Sequence, residues 1–536
     1  MAGEREAERT IPQFFAETAA RYPEKPAIII PRDRGYDEIS YEELARRARR
    51  LAAALAGRGI AKGDKVVLFS RPRIEWALAL LGTLAAGAVA VPLDPQLRGK
   101  EAGRIIAQSD ATTVFVGRER LKAVRDMGLQ VICLDRAQGT DDLPCLEELL
   151  QEEVDPQAGP EPDDLAVIAF TSGTTGDAKG VMLTHRNFSS DVAACLERMP
   201  IGPEDLMLSI APWYHSYGLT VGLFVPFWTG ATAAYTDNYR ELPRLMRETH
   251  VSILIGVPKL YHLMFERVRE GIEKSLLGRL AFRIAPRLVG KRVKRELASP
   301  RLRFFVSGGA PLAPQVARGF RRLGIGIIEG YGLTETAPVL AFSYPFDKKS
   351  GTVGPSLRGI EIKILDPNAE GIGEILVRGP NVMRGYYRNP ERTREVLDPE
   401  GWFHTGDLGM LDEQGYIYIK GRRKNVIVLE SGKNVYPEEI EWELAPIPYI
   451  EEVLVKRGQR QGREVVQAYV YPNWERLGTQ DPQGAQELIW EEVKRVSAGL
   501  APYKRLRGKE DLILVERPFA KTSTMDIKRY LYQEVK

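Results

Sequence analysis

Within residues 65–135, four short runs rich in β-branched and aromatic residues, KVVLFS, AVAVPLD, TTVFVG and LQVICLD, alternate with helix-forming stretches. This alternation is the strongest constraint on the fold, because strands spaced by helices imply an α/β architecture. Just before them, Ser40-Tyr-Glu-Glu43 forms a capping box, and Leu44, Ala48, Leu51 and Leu55 recur at helical spacing until Gly57 and Gly59 end the pattern. Further along, VSILIGVP, RLRFFVSGGA and GIIEGYGLTE read as strands running into glycine-rich turns. Turns at strand ends are where α/β folds place ligands.

After about residue 350 the texture changes to short strands, GIEIKILD, GEILVRG and GYIYIKGRRKNVIVL, the pattern of a small β-rich subdomain. YPEEIEWEL, YIEEVLVKR, EVVQAYVYP and LIWEEVKRVSAGL then read as a compact α+β unit. A chain of 536 residues is too long for one core. We therefore expect an α/β multi-subdomain N-terminal region over 1–421, with layered α/β sheets and a small β-barrel-like subdomain. A small mobile α+β C-terminal domain over 422–536 follows, its linker at 420–425. Residues 76–93 and 213–235 are uncharged apart from His215 and long enough to span a bilayer, but Gly82, Gly87, Pro92 and Pro226 interrupt them. Each is expected to be a buried helix followed by a strand.

The formal charge of +3 and the absence of any RNA- or DNA-binding motif argue against nucleic acid as a partner. Cys133, Cys145 and Cys195 are far apart and form no CxxC, so a reducing, cytoplasmic setting fits better than a disulfide framework. The N-terminus is charged and has no apolar signal core. Residues 279–303 carry many Lys and Arg, the usual signature of a solvated helix face. Peripheral contact with anionic lipid or a nucleotide phosphate is the sharper reading.

Three segments carry chemistry. TSGTTGDAKG leaves the apolar run AVIAF, and its hydroxyls, backbone N–H groups and Lys179 suit phosphate oxygens. It is not a Walker A loop, because Gly180 follows Lys179. In EGYGLTETAP, an aromatic between glycines can stack on a base, and Thr334 beside Glu335 can hold a phosphate and Mg²⁺ together. WFHTGDLG and GRRKN bring Asp407 and Arg422, suited to sugar hydroxyls, although a turn-capping Asp is the plainer alternative.

In this order along essentially the whole chain, these segments resemble the adenylate-forming superfamily of acyl-CoA synthetases, luciferases and nonribosomal adenylation domains. GRRKNVIVLESGKNVYPEEIE looks most like the long-chain fatty acyl-CoA ligases. The resemblance implies attack of a carboxylate on the α-phosphate of MgATP, then transfer of the acyl group from acyl-AMP to coenzyme A. By position, Thr171, Ser172, Gly173, Thr174, Thr175 and Lys179 would hold the β- and γ-phosphates, with Thr171 and Glu335 nearest Mg²⁺. Gly308, Gly309, Ala310 and the Glu329-Gly330-Tyr331-Gly332 turn would frame adenine, Thr334 would touch the α-phosphate, and Asp407 and Arg422 would bind the ribose. His215, in PWYHSYGL, matches the segment beside the carboxylate. Lys424 sits at the hinge position, and Gly432 at the pantetheine tunnel. A carrier protein acting in trans is the same-fold alternative to coenzyme A, and a medium- to long-chain fatty acid the expected substrate. A P-loop kinase is a remote further possibility.

The tail departs from the pattern. The family's P-K-T-x-x-G-K-I-x-R is here AKTSTMDIKRY, in which Lys521, Thr522, Ile527 and Arg529 match and Asp526 replaces the catalytic lysine. An Asp there repels both the attacking carboxylate and the phosphate. Three readings stay open. Lys528 or Lys521 substitutes, or the enzyme adenylates slowly and mainly runs the thioester step, or it binds acyl-CoA or nucleotide without turnover.

Overall fold

The four runs at 65–135 form neighbouring strands. Lys65–Phe69 lies between Val89–Pro92 and Thr113–Val116, with Gln130–Cys133 at the edge, all parallel. Beyond Val89–Pro92 come β1 (Leu165–Ser172), the antiparallel β2 (Ala178–Thr184) and Gly385–Tyr386, completing a seven-stranded sheet. This computed structural model describes residues 8–136, 140, 142–151, 159–172, 178–296, 300–429, 433–460, 463–522 and 527–532.

A second sheet has eight strands. Its parallel centre includes Leu206–Ser209, Ile253–Gly256, β3 (Phe304–Ser307) and β4 (Gly326–Gly332), and antiparallel strands close both edges. Between the two large sheets the chain is apolar all round. The helix Ile74–Ala85 buries every residue from Trp76 to Leu84. Gly82 is required there, because a Cβ would lie 2.6 Å from the Leu51 side chain on the neighbouring helix Tyr41–Gly57. That neighbour starts as its sequence implies, with the Glu43 N–H donating to Ser40 Oγ. Residues 213–235 likewise form the helices Ser216–Leu219 and Val225–Thr229, joined by a wide turn, then the strand Thr232–Tyr235. Trp76 and Trp213 meet at 6.2 Å between ring centroids and tie the two segments together. Among the described residues no helix is long and apolar enough to cross a membrane.

The β-rich subdomain is a four-stranded antiparallel sheet of Glu361–Leu365, Gly373–Arg378, β5 (Phe403–Leu411) and β6 (Ile417–Arg422). The C-terminal unit has its own core. A hairpin of Ile450–Arg460 and Arg463–Pro472, with Leu512–Leu514 beside it, packs Val455 and Ala468 against Ile440, Leu444, Ile489 and Val493 of the helices Pro437–Leu444 and Pro482–Ser497. Arg476 links this unit to the larger one through Glu266 at 3.3 Å and Glu270 at 3.2 Å.

Candidate active site

The site is assembled where β3, β4 and β6 end, beside the middle of β5. β3 and β4 run parallel, with Ser307 opposite Glu329, so Gly308-Gly309-Ala310 leaves the sheet beside Gly330. Gly308 has a steric reason, since a Cβ would lie 2.8 Å from the Tyr217 ring. Tyr217 is fixed in turn by its hydroxyl, which donates to the Gly256 carbonyl at 3.3 Å and the Val306 carbonyl at 3.1 Å. Gly332 is equally constrained, because a Cβ would overlap the Pro338 carbonyl oxygen. Glu329 turns away from this surface. Its buried carboxylate takes a 3.1 Å bond from Arg321, and burial pushes it up to about 7 despite that cation.

The Tyr331 hydroxyl donates to Asp407 Oδ2 at 2.8 Å, and Arg422 Nε lies 2.8 Å from Asp407 Oδ1. The backbone arranges this meeting, for Asp407 and Arg422 are directly opposed in the β5–β6 ladder. Burial pushes the Asp407 carboxyl up, and the Arg422 charge and Tyr331 hydroxyl pull it back. The Arg422 side chain remains 46% exposed, whereas that of Asp407 is 5% exposed.

A second cluster lies alongside. Ser216 Oγ donates to Thr334 Oγ1 at 3.3 Å. Tyr386 donates to Glu335 Oε1 at 2.8 Å, and the Met383 N–H donates to the Glu335 carbonyl at 2.8 Å. Lys179 Nζ sits 5.0 Å from the Tyr386 ring centroid, and Thr171 is its partner across the β1–β2 ladder. Burial lowers the Lys179 pKa, the Arg392 charge adds to this, and Glu335 opposes it. Thr171 and Lys179 thus share one surface with Glu335, which is far from both in the chain. Ser172 closes β1, while Gly173, Thr174 and Thr175 lie outside the described residues, as do Gly432 and Asp526.

His215 stands at the start of the helix Ser216–Leu219, its ring 4.8 Å from Tyr214. Burial lowers its pKa to about 4, with Asp94 pulling the other way, so the imidazole is neutral at pH 7. Lys424 follows β6 in a single 3-10 turn. Burial lowers its pKa, and the charges of Arg422, Lys179 and Arg529 add to the effect, which places it in the field of the site.

In the tail, Lys521 is bridged to Ile527 and the Lys528 N–H donates to the Ala520 carbonyl at 2.8 Å. Lys521, one of the two lysines expected to replace the missing cation, is ion-paired with the buried Glu452. Arg529 is ion-paired with Glu441 and lies 3.9 Å from Glu438. Glu438 in turn accepts from Asn425 and abuts Gly421, so the tail connects to the end of β6.

No motif in the sequence marks Tyr386, Ser216 or Glu438. Tyr386 stands in MRGYYRNP, where no spacing marks it, and 51 residues separate it from Glu335.

Mg²⁺ is tested by the donor set. Among the described residues no cluster of three or more His, Cys, Asp or Glu encloses a metal. One oriented carboxylate, Glu335, beside a hydroxyl strand fits an ion that keeps its waters and takes its other ligands from substrate phosphates.

The family model for AMP-binding enzymes matches residues 15–387. The chain is 31% identical to the sulfoacetate–CoA ligase of Cupriavidus necator, over 91% of this chain and 89% of that protein. It is 30% identical to a long-chain-fatty-acid–CoA ligase of Escherichia coli, over 83% and 82% of the two chains. Among solved structures, ATP-bound MatB from Rhodopseudomonas palustris superposes with a TM-score of 0.78 at 28% identity, covering 98% of this chain and 99% of that one.

Proposed function

The chain belongs to the AMP-binding enzyme family and is an acid–thiol ligase of the AMP-forming class, and on that premise we propose that it activates a medium- to long-chain fatty acid and transfers it to coenzyme A. The observation that carries the fatty reading is the setting of Thr334. Its partner Ser216 opens a segment, 216–229, whose residues are almost all buried and apolar. A carboxylate brought to Thr334 would leave its alkyl chain against that apolar wall, with the neutral His215 at the mouth.

Chemically, a carboxylate oxygen bonds to the α-phosphorus of ATP and pyrophosphate leaves. The thiol sulfur then bonds to the acyl carbon, and AMP leaves with the electron pair of the broken C–O bond. Catalysis of the first step rests on position and charge. Arg422 and Asp407 would hold the ribose, Tyr331 would face the base, and Lys179 would neutralise phosphate charge. Thr334, aimed by Ser216, would touch the α-phosphate. Glu335, aimed by Tyr386, would hold Mg²⁺ with Thr171, and the ion would supply further neutralisation of the triphosphate. Lys424, just beyond β6, would be the pivot of the C-terminal unit between the two steps.

The tail shapes the balance of those steps. With Lys521 engaged by Glu452, Lys528 is the remaining tail lysine for the adenylation role. Asp526 weakens that step, while the thioester step does not require the lysine. A carrier protein in place of coenzyme A is the second acceptor to test.

The experiment is a panel of acids from acetate to palmitate, with AMP release measured with and without coenzyme A. AMP formation should depend on coenzyme A and rise with chain length. Preference for acetate, or equal rates with a carrier protein alone, removes the fatty acyl-CoA reading. ADP in place of AMP removes the ligase chemistry altogether.

A further inference from the structure

On the flank of the eight-stranded sheet, α1 (Pro258–Glu273), α2 (Leu276–Ile284) and α3 (Pro286–Glu296) follow one another. In a soluble protein the outward face of such helices is polar. Here Leu276, Leu280, Ile284 and Leu288 are 82%, 54%, 72% and 65% exposed. Leu276, Leu280 and Ile284 recur every four residues and form one row along α2, and Leu288 follows in the first turn of α3. Isolated exposed leucines are ordinary, but a contiguous row marks an interaction surface.

The helices are not loosely seated. A Cβ at Gly290 would overlap the Leu323 carbonyl, so α3 lies hard against the turn after Arg322. Val293 is buried, and Phe282 packs under Arg322 with 4.9 Å from guanidinium to ring. The inner face is therefore already used, and the exposed row belongs to the outer one.

Charge identifies the occupant. From Leu276 to Arg295 the chain carries Arg279, Arg283, Arg287, Lys291, Arg292, Lys294 and Arg295 and no acid. This is a local concentration on a chain whose net charge is only +3. A second copy would bring the same cations against these. Nucleic acid would match the cations but give nothing to the leucines. An anionic bilayer meets both, phosphate groups for the cations and the acyl boundary for the row. Between α1 and α2, Phe265, Ile272 and Phe282, with Arg269, Glu273 and Arg279, line a cavity of about 480 Å³.

We propose that α2 and α3 dock this protein on the surface of an anionic phospholipid membrane, with Leu276, Leu280, Ile284 and Leu288 entering the interface. The proposal stands whichever acid the ligase activates, because its test does not read turnover of a fatty acid.

The test is flotation of the full-length protein with vesicles of phosphatidylcholine alone and of phosphatidylglycerol and phosphatidylcholine in equal parts. Binding is expected to the anionic vesicles only, and should fade as salt screens the attraction. Leu280→Ser with Ile284→Ser should weaken binding by roughly tenfold or more through loss of interfacial apolar surface. Arg283→Glu with Arg287→Glu should weaken it as well, and AMP formation with a water-soluble acid should be unchanged in both pairs. No binding of the wild type at low salt overturns the proposal, as does binding by the leucine variant equal to wild type. Self-association in sedimentation that the leucine variant abolishes would assign the surface to a second copy instead.

Discussion

Asp407 and Glu452 are both buried carboxylates that face a cation and accept a second hydrogen bond. Asp407 takes Arg422 and the Tyr331 hydroxyl across two sheets, and Arg422 stays 46% exposed. Glu452 takes Lys521 and the Phe519 N–H inside the C-terminal unit, and Lys521 is only 16% exposed. The first pair leaves its cation at the lip of a site, free to meet a ligand's hydroxyls while the carboxylate keeps it in place. The second consumes its cation to hold the tail down. A lysine at the right place in a motif is therefore a reagent only if the fold leaves its charge unspent.

Variants can break that contrast. Asp407→Ala leaves Arg422 without its carboxylate, and we predict a rise in KM for ATP of about 100-fold, the scale of a broken, partly buried charge pair. Steady-state kinetics check it. Lys521→Met should instead cost stability, about 2 kcal/mol by denaturant unfolding, with AMP formation per folded molecule nearly intact. A collapse of activity without loss of stability would make Lys521 a reagent after all. Tyr386→Phe removes one hydrogen bond to the Glu335 side chain, and adenylation should slow about tenfold. A last prediction concerns pH and Glu441, which burial pushes up to about 7 although Arg529 opposes this. A carboxyl raised in the folded state contributes stability that is full below its ordinary 4.5 and lost as pH rises through about 7. Unfolding free energy should thus fall across that window. Glu441→Gln, which cannot ionise, should flatten the slope by up to about 1.4 kcal/mol per pH unit.

Much of this was legible in the sequence. The runs at 65–135 became the strands they resemble, and the uncharged stretches at 76–93 and 213–235 became buried helices followed by strands, because their glycines and prolines break a continuous span. Tyr331, Asp407 and Arg422 announced themselves in short motifs, since each sits in a tight turn or ladder whose neighbours are fixed locally. What stayed hidden was tertiary pairing. Neither Tyr386 with Glu335 nor Lys521 with Glu452, 69 residues apart, leaves any spacing to read. Glu329 shows the converse. It stands within a nucleotide-like motif, yet its carboxylate is taken by Arg321 from the helix Pro314–Arg322, a pairing the motif does not show.

The central claim is that the nucleotide side of the site is built for catalysis while Asp526 holds back the first half-reaction. It is tested by acid-dependent ATP–pyrophosphate exchange in the wild type and Asp526→Lys, beside thioester formation from supplied acyl-AMP. We predict that Asp526→Lys speeds exchange by about 10²–10³-fold, the scale of restoring one charge-stabilising donor, and leaves the thioester step unchanged. Exchange that is equally fast in both proteins would contradict the account.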